Sequence, residues 1–261
     1  VLIPFMGVGP LSRWKSDTAA RWRAELLLPA IAALACGLTL PLFQDGEYNV
    51  WVALAVVLAS WLLFSLCRDV WYRVRGASSV ARGWRRLTPS YCGMVVAHLG
   101  FAAAVVGVVA TSQYSIEHDL KMQPGDTEVV AGYSFTFTEL AQVQGPNYVA
   151  DEARFDVYEN GRLLVRLAPQ KRRYLASGQV MTEAAIDDGM WRDLFVAMGE
   201  PIGNEGAWAI RLHYKPMVRW MWLGAVMMAL GGFATVADKR YRQRRVARAA
   251  EREGGVSGAA A

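Results

Sequence analysis

The stretch YCGMVVAHLGFAAAVVGVVAT, residues 91–111, is apolar along its whole length except for one ionisable side chain, His98. A titratable group inside a run long enough to cross a bilayer costs free energy and marks a functional position by default, with a partner to be named. Three kinds of chemistry suit a lone imidazole there. It can hydrogen-bond to a neighbouring helix, a contact worth about 1 kcal/mol in membranes. It can relay protons, which asks for further acids or bases at membrane depth, and the apolar runs of this chain supply none. It can also ligate haem iron: the metal then satisfies the lone pair of the neutral ring, and the flat macrocycle fills an apolar slot with small residues nearby. One histidine fills one axial position, so the second ligand would come from outside this chain.

A helical projection of 91–111 at about 100° per residue separates two faces. Gly93, Ala97, Gly100, Ala104, Gly107 and Thr111 form one stripe. Small residues so spaced let helix backbones approach closely in lipid, where packing must replace hydrophobic association. His98 points about 120° or more away from this stripe, on a face with Tyr91, Met94, Val95, Ala102, Val105 and Val109. Ala102, one turn along, is expected to leave room beside the imidazole.

The other candidate groups are weaker. His118 lies in a polar stretch and reads as a solvated surface residue. His213, in RLHYKP, precedes an apolar run and could face a ligand at a membrane surface. Cys36, Cys67 and Cys92 fall in or at the ends of apolar runs, where a thiol serves as small apolar filler. Arg219, Arg85 and Arg86 could meet anionic groups, although arginine flanking an apolar span ordinarily serves the interface itself.

The elements that must position these groups are membrane helices. Hydrophobic residues make up 54% of the 261-residue chain, too many for an ordinary soluble domain of this size. The excess is confined to runs at 26–43, 48–67, 91–111 and 214–236, each about the 20 residues a spanning helix needs. Lys and Arg cluster before the first run, between the second and third, and after the fourth. By the positive-inside rule these segments are cytoplasmic, while the acidic 43–48 turn and the region 112–213 lie outside. The positive net charge is a basic inner rim and gives no reason to expect nucleic acid. Membrane lipid is the expected surroundings.

Between the third and fourth runs the pattern turns to alternation: TEVVAGYSFTFTEL, ARFDVYENGRLLVRL, QVMTEAAI and AWAIRLHY read as strands. Asn160-Gly161 is a hairpin signal, because a type I′ turn needs positive φ at both central residues. QPGD (123–126) and GNEG (203–206) mark further turns, and DDGMWRDLFVAMGE (187–200) is open between strand and short helix. The fold class expected is a polytopic α-helical membrane protein, with about four transmembrane helices plus the end of a preceding one. It carries an inserted periplasmic all-β domain, a small barrel or sandwich. The divisions are a membrane region 1–111, the β-rich domain 112–213, a final helix 214–236 and a basic cytoplasmic tail 237–261, partly disordered. The opening VLIPFMGVGPLSRWK is apolar but too short to span and reads as the inner end of a helix begun elsewhere. The chain is expected to be the C-terminal part of a larger membrane protein, a fragment or a natural split.

YCGMVVAHLGFA, PQKRRYLASGQVMTEAAIDDGMWRDLFVAMGEP, KPMVRWMWLGAVMMALGG and the opening PFMGVGPLSRW together resemble the C-terminal region of the CcmF/NrfE family of cytochrome c maturation haem lyase subunits. The resemblance covers nearly all of residues 1–240. It implies a multi-pass protein of the bacterial inner membrane that takes haem from the chaperone CcmE. Haem is then joined to the CXXCH thiols of apocytochrome c, presented by CcmH/CcmI. It further implies a haem b held between two transmembrane histidines and reduced by quinol, which in turn reduces the incoming haem. His98, by its AHLG context, matches the second of those histidines and is the axial ligand expected of this chain. The first, the tryptophan-rich WWD segment and the two periplasmic histidines of the family have no counterpart here; His118 and His213 match none of them. The N-terminal part of the lyase, in the same chain or as a split subunit, is therefore an implied partner and holds most of the catalytic surface. The β-rich domain would shape the rim over the WWD surface and dock CcmE or the apocytochrome complex.

A reading from a different class stays open on the residues alone: a noncatalytic membrane scaffold presenting a partner-docking domain, with His98 a packing residue. A transporter half is disfavoured, because helices interrupted near the midplane are not evident and Pro29 and Pro41 lie towards the ends of the first run.

Overall fold

A computed structural model describes residues 2–12, 18–43, 48–203 and 206–238. The GNEG turn falls partly outside the described residues, as do the charged residues of the 43–48 turn and nearly all of the basic tail. The chain divides into two compact units, Val1–Val109 with Trp220–Ala261, and Ala110–Arg219.

The first unit is helical. Its helices are α1 (Leu2–Val8), α2 (Ala19–Thr39, continued by a 3-10 turn Leu40–Phe43), α3 (Val50–Arg75), α4 (Val80–Arg85), α5 (Pro89–Tyr114) and α6 (Val218–Val236). Four of them, α2, α3, α5 and α6, are long and apolar enough to cross a membrane. Two of the long helices start at a side-chain cap. Thr18 accepts from the Arg21 N–H and Asn49 from the N–H groups of Trp51 and Val52, so side chains satisfy donors that the first turn leaves open. The helices run beyond the apolar windows because their polar ends find partners. Arg68, on α3, pairs with Glu25 of α2 at 2.9 Å and donates to the Ala24 carbonyl at 3.0 Å. Close packing fixes the α2–α3 hairpin: a Cβ on Gly37 would come within 2.8 Å of the Val57 backbone nitrogen. Trp61 of α3 donates to the Pro4 carbonyl of α1 at 3.0 Å.

The second unit is a two-sheet antiparallel sandwich. Its strands are β1 (Ile116–Met122), β2 (Thr127–Val130), β3 (Tyr133–Gln144), β4 (Tyr148–Glu159), β5 (Arg162–Leu167), β6 (Gln170–Tyr174), β7 (Val180–Glu183), β8 (Ala185–Asp188), β9 (Arg192–Ile202) and β10 (Ala207–Pro216). One sheet has the order β1-β10-β9-β8; the other has β2-β3-β4-β6-β7, with β5 also paired to β4. The chain crosses between sheets at Ala184, between β7 and β8. Alternation places Phe135, Phe137, Phe155 and Val157 of one sheet against Leu194, Val196, Met198, Ile210 and Leu212 of the other in a single buried core. Asn160 and Gly161 both have positive φ, 50° and 77°, as a type I′ hairpin demands.

Three local outcomes refine the expected element ends. The segment 187–200, open between strand and helix, is the end of β8, a tight turn and most of β9. Residues 112–114 complete α5, and 214–216 complete β10. The last helix begins at Val218, because Pro216 ends the strand and Met217 takes a left-handed conformation, φ 56°. That conformation costs a bulky residue about 1–3 kcal/mol. Two hydrogen bonds hold the junction: Thr111 Oγ1 donates to the Pro216 carbonyl at 2.7 Å, and the Met217 N–H to the Trp191 carbonyl at 2.9 Å.

The core makes one stability prediction. Phe137 is fully buried and stacks on Phe155, with ring centroids 4.8 Å apart. Phe137→Ala should cost about 3–5 kcal/mol, read as a lowered melting midpoint of the detergent-solubilised protein. Val129→Ala, at a side chain 56% exposed, should stay within about 0.5 kcal/mol.

Candidate functional site

His98 lies nine residues into α5, about 14 Å from the start of a helix about 39 Å long. Two contacts on opposite faces hold that helix. On the small-residue face, α5 meets α6 backbone to backbone in antiparallel pairs, Gly93 against Gly231 and Gly100 against Gly224. A Cβ on Gly93 would lie 2.5 Å from the Gly231 carbonyl oxygen, and one on Gly100 would lie 2.6 Å from that of Gly224. Added to Gly224 or Gly231, a Cβ would strike Ala104 or Ala97. These are members of the stripe read from the sequence, and α6 is what the stripe packs on. Thr235 of α6 also donates to the Ser90 carbonyl at 3.3 Å.

On the other face, Tyr91 donates its hydroxyl to Asp69 of α3 at 2.7 Å. Arg73 closes the group, bonding both Asp69 oxygens at 3.0 and 3.1 Å and covering the Tyr91 ring at 4.4 Å. A buried carboxylate, 6% exposed, is thereby charge-paired and hydrogen-bonded, the condition under which such a group is tolerated. Asp69 lies just past the apolar run 48–67, outside the stretch in which no acid or base is found. Its i, i+4 spacing to Arg73 on a helix continuing the apolar run was the available signal. His98 stands two turns beyond Tyr91 on the same face, about 10 Å along the helix.

The imidazole is half-buried, and its Nδ1 lies 2.8 Å from the Met94 carbonyl oxygen. A carbonyl only accepts, so Nδ1 carries the proton; in the neutral ring the lone pair is then on Nε2. Hydrogen bonding of one ring nitrogen to a backbone carbonyl orients a metal-binding histidine and fixes its tautomer. No hydrogen-bond partner of Nε2 is found among the described residues. Ala102, one turn beyond His98, is buried. The ring leans toward the helix N-terminus, where Met94 lies, the direction helical side chains take.

The three histidines do not come together. His118 is on β1, with Nδ1 3.1 Å from Glu128 Oε1. His213 is on β10, buried, edge-on to the Phe195 ring at 4.9 Å, with Glu117 at 3.6 Å. Burial pushes the His213 imidazole below its ordinary range, and Glu117 only partly opposes this; it is a neutral histidine packed within the sheet face, not one turned to a ligand. Arg219 is paired with Asp188. Among the described residues no three His, Cys, Asp or Glu side chains gather as a metal site. A metal at His98 would have to bring most of its own coordination, as a macrocycle does.

Four spans and an antiparallel sandwich inserted between the last two define a polytopic membrane protein with an appended β-domain. Residues 113–216 match the family model described as the CcmF C-terminal beta-sandwich. The chain is 44% identical over 242 residues to the cytochrome c-type biogenesis protein CcmF of Pseudomonas aeruginosa, covering 92% of this chain and 36% of that protein. With CcmF of Escherichia coli the identity is 40% over 247 residues, covering 94% and 37%. With NrfE of Haemophilus influenzae it is 32% over 197 residues, covering 76% and 29%. A solved cytochrome c heme lyase CcmF shares the fold, with a TM-score of 0.70 at 21% identity over 90% of this chain and 38% of that one. The chain thus matches the C-terminal region of CcmF/NrfE-type proteins. It spans little more than a third of the CcmF relatives' length.

The helix contact predicts an asymmetric response to substitution. Gly100→Leu forces the α5 and α6 backbones apart and should destabilise the protein by about 1–3 kcal/mol. Gly232→Ala, where an added Cβ meets nothing within 4 Å, should be neutral or slightly stabilising. Thermal unfolding in detergent compares the two.

Proposed function

We propose that this chain is the C-terminal part of a cytochrome c haem lyase of the bacterial inner membrane, and that His98 Nε2 is one axial ligand of a membrane-embedded haem b. The observation that carries this reading is the Nδ1–H bond to the Met94 carbonyl, 2.8 Å long, which leaves Nε2 as a lone-pair donor. A histidine with a purely packing role would call for a partner on Nε2 as well. The relatives' names place them in cytochrome c biogenesis, the setting in which haem chemistry is required.

The residues present fit the group. His98 supplies a neutral nitrogen in apolar surroundings, the glycine contact with α6 holds the helix, and the Tyr91–Asp69 bond fixes it on the His98 face. When bound, haem b supplies one-electron transfer, drawing on quinol and reducing the haem to be attached. This chain's own part is to hold Nε2 in place. The second axial ligand and the thioether-forming surface belong to the N-terminal part of the lyase. The basic segments face the cytoplasm by the positive-inside rule, and the β-sandwich faces the periplasm, where it docks CcmE, CcmH/CcmI or apocytochrome c.

Absorption spectroscopy of the chain purified with the N-terminal part tests the ligand. A b-type Soret band should be lost in His98→Gly, return on addition of imidazole, and persist in His213→Ala. A band that survives in both variants rules out His98 as a ligand and favours the noncatalytic scaffold.

A further inference from the structure

The turn between β8 and β9 carries large apolar side chains at an exposed tip, as the β6–β7 hairpin does with Leu175, Val180 and Met181. It reads Gly189-Met190-Trp191, and around it Ile186, Met190 and Trp191 are 53%, 48% and 62% exposed. Large apolar side chains gathered at one tip call for an explanation that a single exposed residue does not. The turn is tight and specified: the Gly189 N–H donates to Asp193 Oδ1 at 3.1 Å, and a Cβ on Gly189 would lie 2.6 Å from the Arg192 carbonyl oxygen.

Its position in the fold says what covers it. The Trp191 carbonyl accepts from the N–H of Met217, the residue before the first turn of α6. Beside it Pro216 is bonded to Thr111, near the end of α5. Within Ala110–Arg219 the tip therefore adjoins the last turn of α5 and the first residues of α6; α6 continues with Trp220 and Trp222. Aromatic side chains at the ends of spanning helices settle among lipid headgroups. The charges of the tip are matched internally, Arg192 with Asp187 and Arg219 with Asp188. The remaining carboxylate of the turn, Asp193, accepts from the Gly189 N–H.

We propose that the β8–β9 hairpin is an interfacial membrane anchor, with Met190 and Trp191 seated in the headgroup and upper acyl region of the bilayer, so that the partner of this surface is lipid. This role is independent of the haem site. It concerns depth at the outer surface and makes no use of His98.

A fluorophore at position 190 tests it. The protein, assembled with the N-terminal part of the lyase in phosphatidylcholine nanodiscs, carries Met190→Cys labelled with a polarity-sensitive dye, and Cys36, Cys67 and Cys92 are replaced by alanine. The control site is Leu175, equally apolar and 61% exposed. It lies at the β6–β7 hairpin, beside the Tyr148 end of β4. The opposite end of β4 pairs with Tyr133, whose ring stacks on Tyr214 near the α6 junction. A strand of that length separates Leu175 from the Tyr214 end of the sandwich by about 35 Å.

The dye at 190 should emit at shorter wavelength than the dye at 175, and a phosphatidylcholine bearing a nitroxide high on its acyl chain should quench it. Aqueous iodide should quench only the dye at 175. Blue-shifted emission without lipid quenching would mean that protein covers the tip, and iodide quenching at 190 would mean that water does; either overturns the proposal. The unlabelled complex reports the Soret band separately, so failure here leaves the haem reading to its own test.

Discussion

The membrane half of this structure depends on one constraint, the backbone contact between α5 and α6. Glycine faces glycine at two levels, Gly93 with Gly231 and Gly100 with Gly224, and carbonyl oxygens occupy the space a side chain would need. In lipid no hydrophobic force drives helices together, so close packing of this kind supplies the attraction. It also fixes rotation. With the glycine stripe committed to α6, every other side chain of α5 has an assigned direction, and His98 falls on a face that α6 does not cover. The Tyr91–Asp69–Arg73 group secures the same helix from α3, and a helix gripped on two sides can hold a single ligand atom steady.

In the sandwich unit the comparable constraint is the β10–α6 junction. Met217 is held at φ 56°, an uncommon conformation for a non-glycine residue. The strain persists because the carbonyl before it and the N–H of Met217 itself are both engaged, by Thr111 and by Trp191. A strand and a helix of different periodicity thus meet with no intervening loop. Two further anchors reach the same place, the Arg219–Asp188 pair and the stacking of Tyr133 on Tyr214.

Much of this was legible in the sequence, for identifiable reasons. The four apolar runs, the alternation between 127 and 214 and the Asn160-Gly161 turn are local signals, and they appear in the structure, although TEVVAGYSFTFTEL and QVMTEAAI are each divided into two strands, the latter at the crossing between sheets. The small-residue stripe of 91–111 announced a close helix contact, although its partner could not be named, because Gly224 and Gly231 are seven residues apart and only their pairing with α5 gives them meaning. Asp69 was missed because an acid at the end of an apolar run looks like a loop residue until the helix is seen to continue to Arg75. The Nδ1 bond of His98 to Met94 is an i, i−4 contact that a helix permits but a sequence does not assert, and it converts a lone histidine into an oriented donor.

Pulsed electron–nuclear double resonance tests the ligand assignment most directly. This chain would be labelled with nitrogen-15 at histidine Nε2 and assembled with an unlabelled N-terminal part, and the oxidised complex measured. Strong hyperfine coupling of the low-spin ferric signal to one Nε2 label is the predicted result, with His98 as its source. A low-spin ferric signal of unchanged shape with no coupling to the label would contradict the account.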